Sequence, residues 1–351
     1  MSGRIEVPTA FAFAVPEGGV ATAPPEHRGV ARDGVRLLVA SPDGVDHTVF
    51  RRLGDHLRAG DVLVVNTSAT LPAAVEGVRV DGRRSPVHVA AGLDDGSWVV
   101  EVRRRDNEGP QTDLRVSEVI ELTGGVRIRV DGPFPDARAA TGRLWRVRPR
   151  PERDRLAYLA QHGRPVRYGY VGQPWPLRDM QNVYARHPGS AEMPSAGRPL
   201  SRQLLVELMA RGVVVAPVLL HTGLSSPEKH EPPAPEPFEV PLATSRIVNL
   251  ARGSGGRIVA VGTTSARALE SVADASGHLT AGKGWTDLVL SPARPARVTT
   301  ALVSGLHEPE ASHLLLLEAV AGRELVATAY QAAVAEGYLW HEFGDSMLLL
   351  P

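Results

Sequence analysis

Residues 257–271 read Arg257-Ile-Val-Ala-Val-Gly262-Thr263-Thr264-Ser265-Ala-Arg267-Ala-Leu-Glu-Ser271. The short branched apolar run predicts a buried strand, Gly262 permits a sharp turn, and Thr264 or Ser265 is a suitable cap for the helix that follows. The start of such a helix carries free N–H groups and a partial positive charge, which together suit an anion. An ordinary helix cap without a ligand explains the same pattern equally well.

Helices and strands alternate on both sides of this unit, from about residue 151 to the end of the chain. Helices are predicted near residues 153–161, 202–211, 242–251, 265–275, 311–321 and 324–336. Strands are predicted near residues 213–220, 257–261, 287–290, 298–303 and 347–350. Such alternation favours a mostly parallel sheet with helices on its faces. The proline-rich residues 226–241 predict a surface loop or lid.

The residues before this region show two different sequence patterns. A strand near residues 35–40, a helix near 47–58 and a buried strand at 61–66 extend the α/β pattern upstream. Between residues 68 and 150, short alternating runs are separated by glycine and proline turns, which predicts a small all-β barrel or sandwich. The predicted fold is therefore α/β: residues 1–67 and 151–351 form one domain with a mostly parallel sheet, interrupted by an inserted barrel domain at 68–150.

Composition excludes several classes of protein. The chain has 351 residues, 39 basic against 39 acidic, and no cysteine. Disulfides and thiolate metal sites are excluded, and no metal site is predicted. No apolar run reaches the length of a signal peptide or a membrane span, so a cytoplasmic protein is expected. Balanced charge gives no global attraction for nucleic acid. The one local basic run, seven arginines in residues 138–155, could contact phosphate, or could be a solvated strand face.

Polar residues follow several predicted strands, where α/β sheets bind ligands. Asn66 and Thr67 end one strand, His221 another and His307 a third, while Asp345 lies in a turn before the last strand. A histidine that titrates near neutral pH can act as a general base or ligand donor. Each residue also has a structural interpretation, as a turn, a strand closure or a hydrogen-bonded histidine. Convergence of the two histidines at one sheet edge would favour function.

The segment 259–271 closely resembles the signature of the S-adenosylmethionine:tRNA ribosyltransferase-isomerase family of queuosine biosynthesis. Other similar segments follow in the same order along the chain: Asn66-Thr67 with Pro72, Tyr184 with Pro188-Gly189, Pro194-Ser-Ala-Gly197, Leu220-His-Thr-Gly223, Leu306-His307 with Pro309 and Ser312, Ala329-Tyr-Gln-Ala-Ala-Val334 and Gly344-Asp-Ser-Met347. The resemblance implies an α/β domain with an inserted β-barrel, in agreement with the pattern above.

The resemblance also implies an activity. Such an enzyme needs no cofactor and uses S-adenosylmethionine as ribosyl donor, with the aminomethyl group of a deazaguanine base in tRNA as acceptor, and it releases adenine and methionine. The sulfonium acidifies the neighbouring C–H bonds, so a base can remove a proton and let adenine depart. His221 and His307 are the candidates for base or proton carrier. Asp345 would orient a histidine or a ribose hydroxyl.

The same comparison assigns the binding residues. Residues 262–265, with Arg267 in the first helical turn, would hold the methionine carboxylate or an acceptor phosphate. Asn66 and Thr67 would contact the substrate between the domains, and tRNA would contact residues 143–155.

Some positions differ from the family pattern and leave other functions open. Ser68-Ala69 stands where the family has Thr-Arg, Ala74 replaces a second arginine, and Arg198-Pro-Leu200 replaces Leu-His-Phe. Three hypotheses follow. The chain carries out the family reaction on tRNA, or is a paralogue using S-adenosylmethionine or another adenosyl compound with a small acceptor or none, or is a non-catalytic ligand- or RNA-binding protein. Which histidine acts as base, and the oligomeric state, stay open.

Overall fold

A computed structural model describes residues 13–139, 142–167, 169–225, 233–309 and 311–351. Its strands are β1 (Arg36–Ser41), β2 (Gly44–Val49), β3 (Val62–Asn66), β4 (Ser68–Thr70), β5 (Ala74–Arg79), β6 (Arg84–Gly92), β7 (Trp98–Val102), β8 (Val119–Leu122), β9 (Arg127–Phe134), β10 (Leu144–Arg150), β11 (His187–Ser190), β12 (Val214–Leu220), β13 (Glu236–Val240), β14 (Ile258–Val261), β15 (Gly282–Thr286), β16 (Ala301–Gly305) and β17 (Ser346–Leu349). Its α-helices are α1 (Arg155–His162), α2 (Arg202–Ala210), α3 (Leu242–Gly253), α4 (Gly262–Ser271), α5 (Ser312–Ala321) and α6 (Arg323–Ala335).

A nine-stranded mixed sheet is the centre of the larger part of the molecule. Its strands follow the order β15-β13-β12-β3-β14-β16-β17-β1-β2. The four central strands, β12, β3, β14 and β16, are parallel, whereas β13 and β15 on one side and β17 on the other are added antiparallel. The predicted α/β class is confirmed, and the parallel pattern is found at the centre of the sheet.

Helices cover both faces of this sheet, which explains why its strands are continuous apolar runs. On one face, Leu204 and Leu208 of α2 pack with Leu63 and Val65 of β3. On the other face, α3 and α4 pack with alternate residues of β3, and α5 and α6 pack toward the β16 and β1 side of the sheet. No described helix is long and apolar enough to cross a lipid bilayer.

The inserted β module is a closed barrel. Its six strands pair in the order β10-β7-β6-β5-β8-β9, and every pair of neighbouring strands is antiparallel. Trp98, Ile120, Ile128 and Val147 fill the interior with almost no exposure to solvent. Alternation of apolar and polar residues predicted the barrel because one face of each strand points into its interior and the other does not.

Three predicted elements were wrong. Residues 47–58 are not one helix: β2 pairs with β1 across a turn at Gly44, and a short 3-10 helix, Phe50–Asp55, follows. Residues 287–290 are not a strand, because the strand of that region is β15, which ends at Thr286. The proline-rich stretch contains β13, which pairs with both β12 and β15. Residues 226–232 of the predicted loop lie outside the described residues.

Candidate active site

The carboxyl ends of the parallel strands β12, β14 and β16 meet at one edge of the sheet and face a cavity. The cavity has a volume of about 600 Å³ and is bounded on its other side by the barrel. This is the place where α/β sheets bind ligands. The residues that line it include Ala90, Val99, Arg103, Phe134, Arg143, Tyr170, Glu192, Ser195, His221, Glu236, Gly262, Thr263, Thr264, Arg267, Ser304, His307, Glu308, His313, His341 and Glu342.

The turn from β14 into α4 lies on this cavity. Gly262 has a φ of 85°, in the left-handed region, and a Cβ there would lie 3.2 Å from Cβ of Ala196. The helix starts at Gly262 and no side chain caps it, so the predicted cap by Thr264 or Ser265 was wrong. Ser265 is buried, and its hydroxyl donates to the carbonyl of Val261. The amides of the first turn are therefore left for a ligand.

Asn66 and Thr67 join strands and are not among the residues that line the cavity. The Asn66 side chain bonds both the N–H and the C=O of Leu220, at 3.0 and 2.8 Å, and its Nδ2 donates to Thr264 Oγ1 at 3.2 Å. The Thr67 hydroxyl donates to the carbonyl of Val218. These bonds position the loops after β12 and β14 relative to each other.

Arg267 is already paired inside the fold. Its guanidinium forms an ion pair with Glu236 on β13 and donates to the carbonyls of Leu288 and Thr286, at 3.1 and 3.2 Å. The other carboxylate oxygen of Glu236 accepts from the amide of Gly223. In this conformation each guanidinium nitrogen of Arg267 has a partner within the fold, so the expected bidentate extension of the anion site by Arg267 stays a prediction.

His221 follows β12 and lines the cavity. Its Nδ1 lies 2.7 Å from Ser68 Oγ, which lies 2.6 Å from Ser190 Oγ. Burial, and next the charges of Arg155 and His187, lower the pKa of the imidazole to about 4. The ring is therefore neutral at physiological pH.

His307 and His313 form a stacked pair on the same side of the cavity. Their ring centroids are 4.6 Å apart and the ring planes differ by 5°. His307 Nε2 lies 3.0 Å from Ser304 Oγ. Burial, and then His313, hold the pKa of His307 well below its usual value, and burial and then Arg267 lower the pKa of His313 to about 4. Ser312 is the first residue of α5, and Ala311 is its N-cap residue.

Asp345 supports the backbone instead of a histidine. Its two carboxylate oxygens accept from the amides of Arg36 and Leu339, each at 2.8 Å, and it is not among the residues that line the large cavity. Burial raises the pKa of this carboxyl. Asp345 hydrogen-bonds no described histidine, and its other expected role, the orientation of a ribose hydroxyl, stays a prediction.

A cluster of aromatic and charged residues forms one rim of the cavity. Tyr170 stacks on His341 with centroids 4.4 Å apart, and its hydroxyl donates to Glu342. His341 Nε2 lies 2.9 Å from a carboxylate oxygen of Glu308. Burial is the main cause that raises the pKa of Tyr170, so its phenol keeps its proton. Three separate chain segments are joined here.

The barrel contributes arginines that share carboxylates. Arg103 and Arg143 both pair with Glu101, at 2.5 and 2.6 Å, and all three are buried. Elsewhere in the basic run, Arg146 and Arg148 both pair with Asp95. Three arginines of the predicted phosphate-binding region 143–155, namely Arg143, Arg146 and Arg148, are therefore engaged in ion pairs within the fold.

Sequence reasoning missed several of these residues. Tyr170 lies in an irregular segment, Ser190 ends the four-residue strand β11, which no sequence pattern indicated, and Glu236 lies in the proline-rich stretch. His313 carried a usable signal: it lies six residues after His307, just inside the predicted helix. No group of three or more described His, Asp or Glu residues is arranged to hold a metal ion.

Comparison with known proteins identifies the family. The model of the queuosine biosynthesis protein family matches residues 8–349. S-adenosylmethionine:tRNA ribosyltransferase-isomerases of Moorella thermoacetica and Desulforamulus reducens are 36% and 33% identical, each over 97% of this chain and 98% of their own.

A solved structure has the same fold. It is described as the S-adenosylmethionine tRNA ribosyltransferase of Thermotoga maritima, and it is 27% identical with a TM-score of 0.53, over 96% of this chain and 99% of its own. Sequence and structure agree over nearly the full length, and the chain belongs to the queuosine biosynthesis family of transferase-isomerase enzymes.

Proposed function

We propose that the protein transfers and isomerises the ribosyl group of S-adenosylmethionine onto the aminomethyl-deazaguanine base of a tRNA, with release of adenine and methionine. S-adenosylmethionine is a substrate in this proposal, and no cofactor takes part. The observation that carries the proposal is the cavity of about 600 Å³ between sheet and barrel, because it combines the uncapped start of α4 with His221 and His307. Its volume suits a ligand of nucleoside size.

The charge state of the cavity supports this chemistry. A sulfonium is a cation, and the buried imidazoles of His221, His307 and His313 are neutral at physiological pH, so they do not repel it. A neutral imidazole can accept the proton removed next to the sulfonium. Because burial disfavours the imidazolium, the proton is readily passed on to the departing adenine. The amides of residues 263 and 264 would hold the methionine carboxylate.

A second candidate is supported by the arginines. Arg267, Arg143 and Arg103 on the cavity wall all pair with glutamates, and Arg146 and Arg148 of the basic run pair with Asp95. An enzyme of this kind could use S-adenosylmethionine with a small acceptor or none. The third hypothesis, a non-catalytic binding protein, has no separate observation in its favour.

Release of free adenine separates these functions. The protein is incubated with S-adenosylmethionine alone, and then with tRNA that carries the aminomethyl-deazaguanine base. Adenine that forms only with this tRNA supports the proposal, whereas adenine formed equally without tRNA favours the second candidate. Absence of adenine in both, with binding of S-adenosylmethionine measured by calorimetry, would contradict catalysis. Unmodified tRNA is the matched control.

A further inference from the structure

The two ring nitrogens of His221 have different surroundings. Nδ1 faces into the fold, 2.7 Å from Ser68 Oγ. Nε2 hydrogen-bonds no described residue and is the nitrogen left for the cavity that the side chain lines. The backbone at Gly189 passes over the imidazole, since a Cβ there would lie 2.2 Å from Nδ1. The ring therefore has one orientation, and its chemistry depends on which nitrogen carries the proton.

Two buried hydroxyls determine that choice. Ser190 Oγ accepts the amide of Thr222 at 3.0 Å and lies 2.6 Å from Ser68 Oγ, which in turn contacts His221. Ser68 and Ser190 are 1% and 0% exposed. Within the described parts of the chain, Ser68 Oγ is the one acceptor within reach of the Ser190 proton. We call these two residues the serine relay.

Each hydroxyl has a single proton to donate, so the relay has a direction. Ser190 donates to Ser68, and Ser68 must then donate to Nδ1 of His221. In the opposite direction the proton of Ser190 would be buried without an acceptor, which is unfavourable. We propose that the serine relay fixes His221 as the tautomer protonated on Nε2, which makes His221 a hydrogen-bond donor to the substrate.

With this tautomer, His221 and His307 have different roles in the reaction. The identity of the ligand rests on the proposed function. A neutral imidazole protonated on Nε2 cannot accept a proton from a substrate at that atom. Its Nε2–H can instead donate a hydrogen bond to a lone pair, such as that of a ring nitrogen of the leaving adenine or of a ribose oxygen. His307, which follows β16 on the same wall of the cavity, then remains the candidate for the base. Arg155 and His187 are the charged and titratable groups nearest His221, and both disfavour its protonation.

The tautomer can be measured directly in the free protein. A heteronuclear NMR spectrum that correlates ring nitrogens with ring protons, recorded near neutral pH, should show His221 with Nε2 protonated and Nδ1 unprotonated. Ser68→Ala should populate both tautomers, and Ser68→Thr, which keeps the hydroxyl, should restore the original one. Ser245→Ala is the matched control, because this buried serine bonds Leu242 within α3. A proton on Nδ1 in the unsubstituted protein would overturn the proposal.

Kinetics test the role of the donor separately. Ser68→Ala should lower kcat for adenine release by roughly tenfold, with a smaller change in KM for S-adenosylmethionine, because a misdirected donor acts mainly on the transition state. An unchanged kcat together with a mixed tautomer would overturn the role of His221 as donor. If the unsubstituted protein releases no adenine, the proposed function fails, while the spectrum still decides the tautomer.

Discussion

The two walls of the cavity differ in how they carry charge. The sheet wall presents His221, His307 and His313, whose pKa values are all lowered by burial, and the uncapped start of α4. The barrel wall presents Arg103 and Arg143, each paired with a buried glutamate. The neutral polar groups that can contact a ligand lie on the sheet wall, whereas the arginines of the barrel wall form ion pairs within the barrel. We infer that chemistry belongs to the sheet wall and that the barrel mainly shapes the cavity.

The largest expected effect is on the barrel wall. Glu101→Gln leaves Arg103 and Arg143 buried with their shared charge partner removed, and we expect the free energy of unfolding to fall by about 3–5 kcal/mol. Urea denaturation measures this loss. Glu76→Gln is the control, because its pair with Arg164 is exposed and should be worth about 1 kcal/mol or less. Equal effects of the two substitutions would contradict a structural role for the barrel arginines.

An intermediate effect is expected from acid on the sheet wall. The folded-state pKa of His313 is about 4, below the usual 6.5, so the unfolded chain binds a proton first as the pH falls. The contribution of His313 to the free energy of unfolding is complete above pH 6.5 and is lost as the pH falls from 6.5 to 4. His313→Phe keeps an aromatic stack without a titrating group, so the loss of unfolding free energy between about pH 7 and 5 should shrink by about 2 kcal/mol.

Urea denaturation at the two pH values measures that difference. Aspartates whose pKa is lowered, such as Asp95, lose their contribution only below their usual value of 3.8, outside this pH window. His278→Gln, at an exposed histidine, is the control for replacing a histidine. If His313→Phe keeps the full acid loss, His313 is not held neutral by the sheet wall.

The smallest expected effect is at the start of α4. Gly262→Ala places a side chain in the left-handed region and near Ala196, at a cost of about 1–2 kcal/mol. Gly253→Ala, at the end of α3, meets no atom within 4 Å and should be neutral or slightly stabilising. Thermal unfolding compares the two variants. Calorimetry should also show weaker binding of S-adenosylmethionine for the first variant alone, and equal affinities would remove the turn from the binding site.

Local pattern was sufficient for most of the fold. Continuous apolar runs identified β3 and β14, and alternation identified barrel strands such as β9, because each pattern reports which faces of a strand are covered. Residues 47–58 failed because the apolar spacing suits a helix, while pairing of β2 with β1 across the Gly44 turn is a tertiary contact. The same reason explains β13, which exists through pairing with β12 and β15.

The site could be located from sequence, but the state of its residues could not. Strand ends correctly placed His221, His307 and Gly262 on one cavity. The ion-pair partner of Arg267 is Glu236, which lies 31 residues away on an unpredicted strand. The sequence therefore did not show that the Arg267 guanidinium is already paired. Asp345 likewise serves two backbone amides that only the folded chain brings together.

The most direct measurement is a crystal structure of the protein with bound S-adenosylmethionine. We expect the adenosyl group between the sheet wall and the barrel, with the methionine carboxylate on the amides that begin α4 and Nε2 of His221 donating to a ligand acceptor. Density for the ligand at another surface, with this cavity filled by side chains, would contradict it.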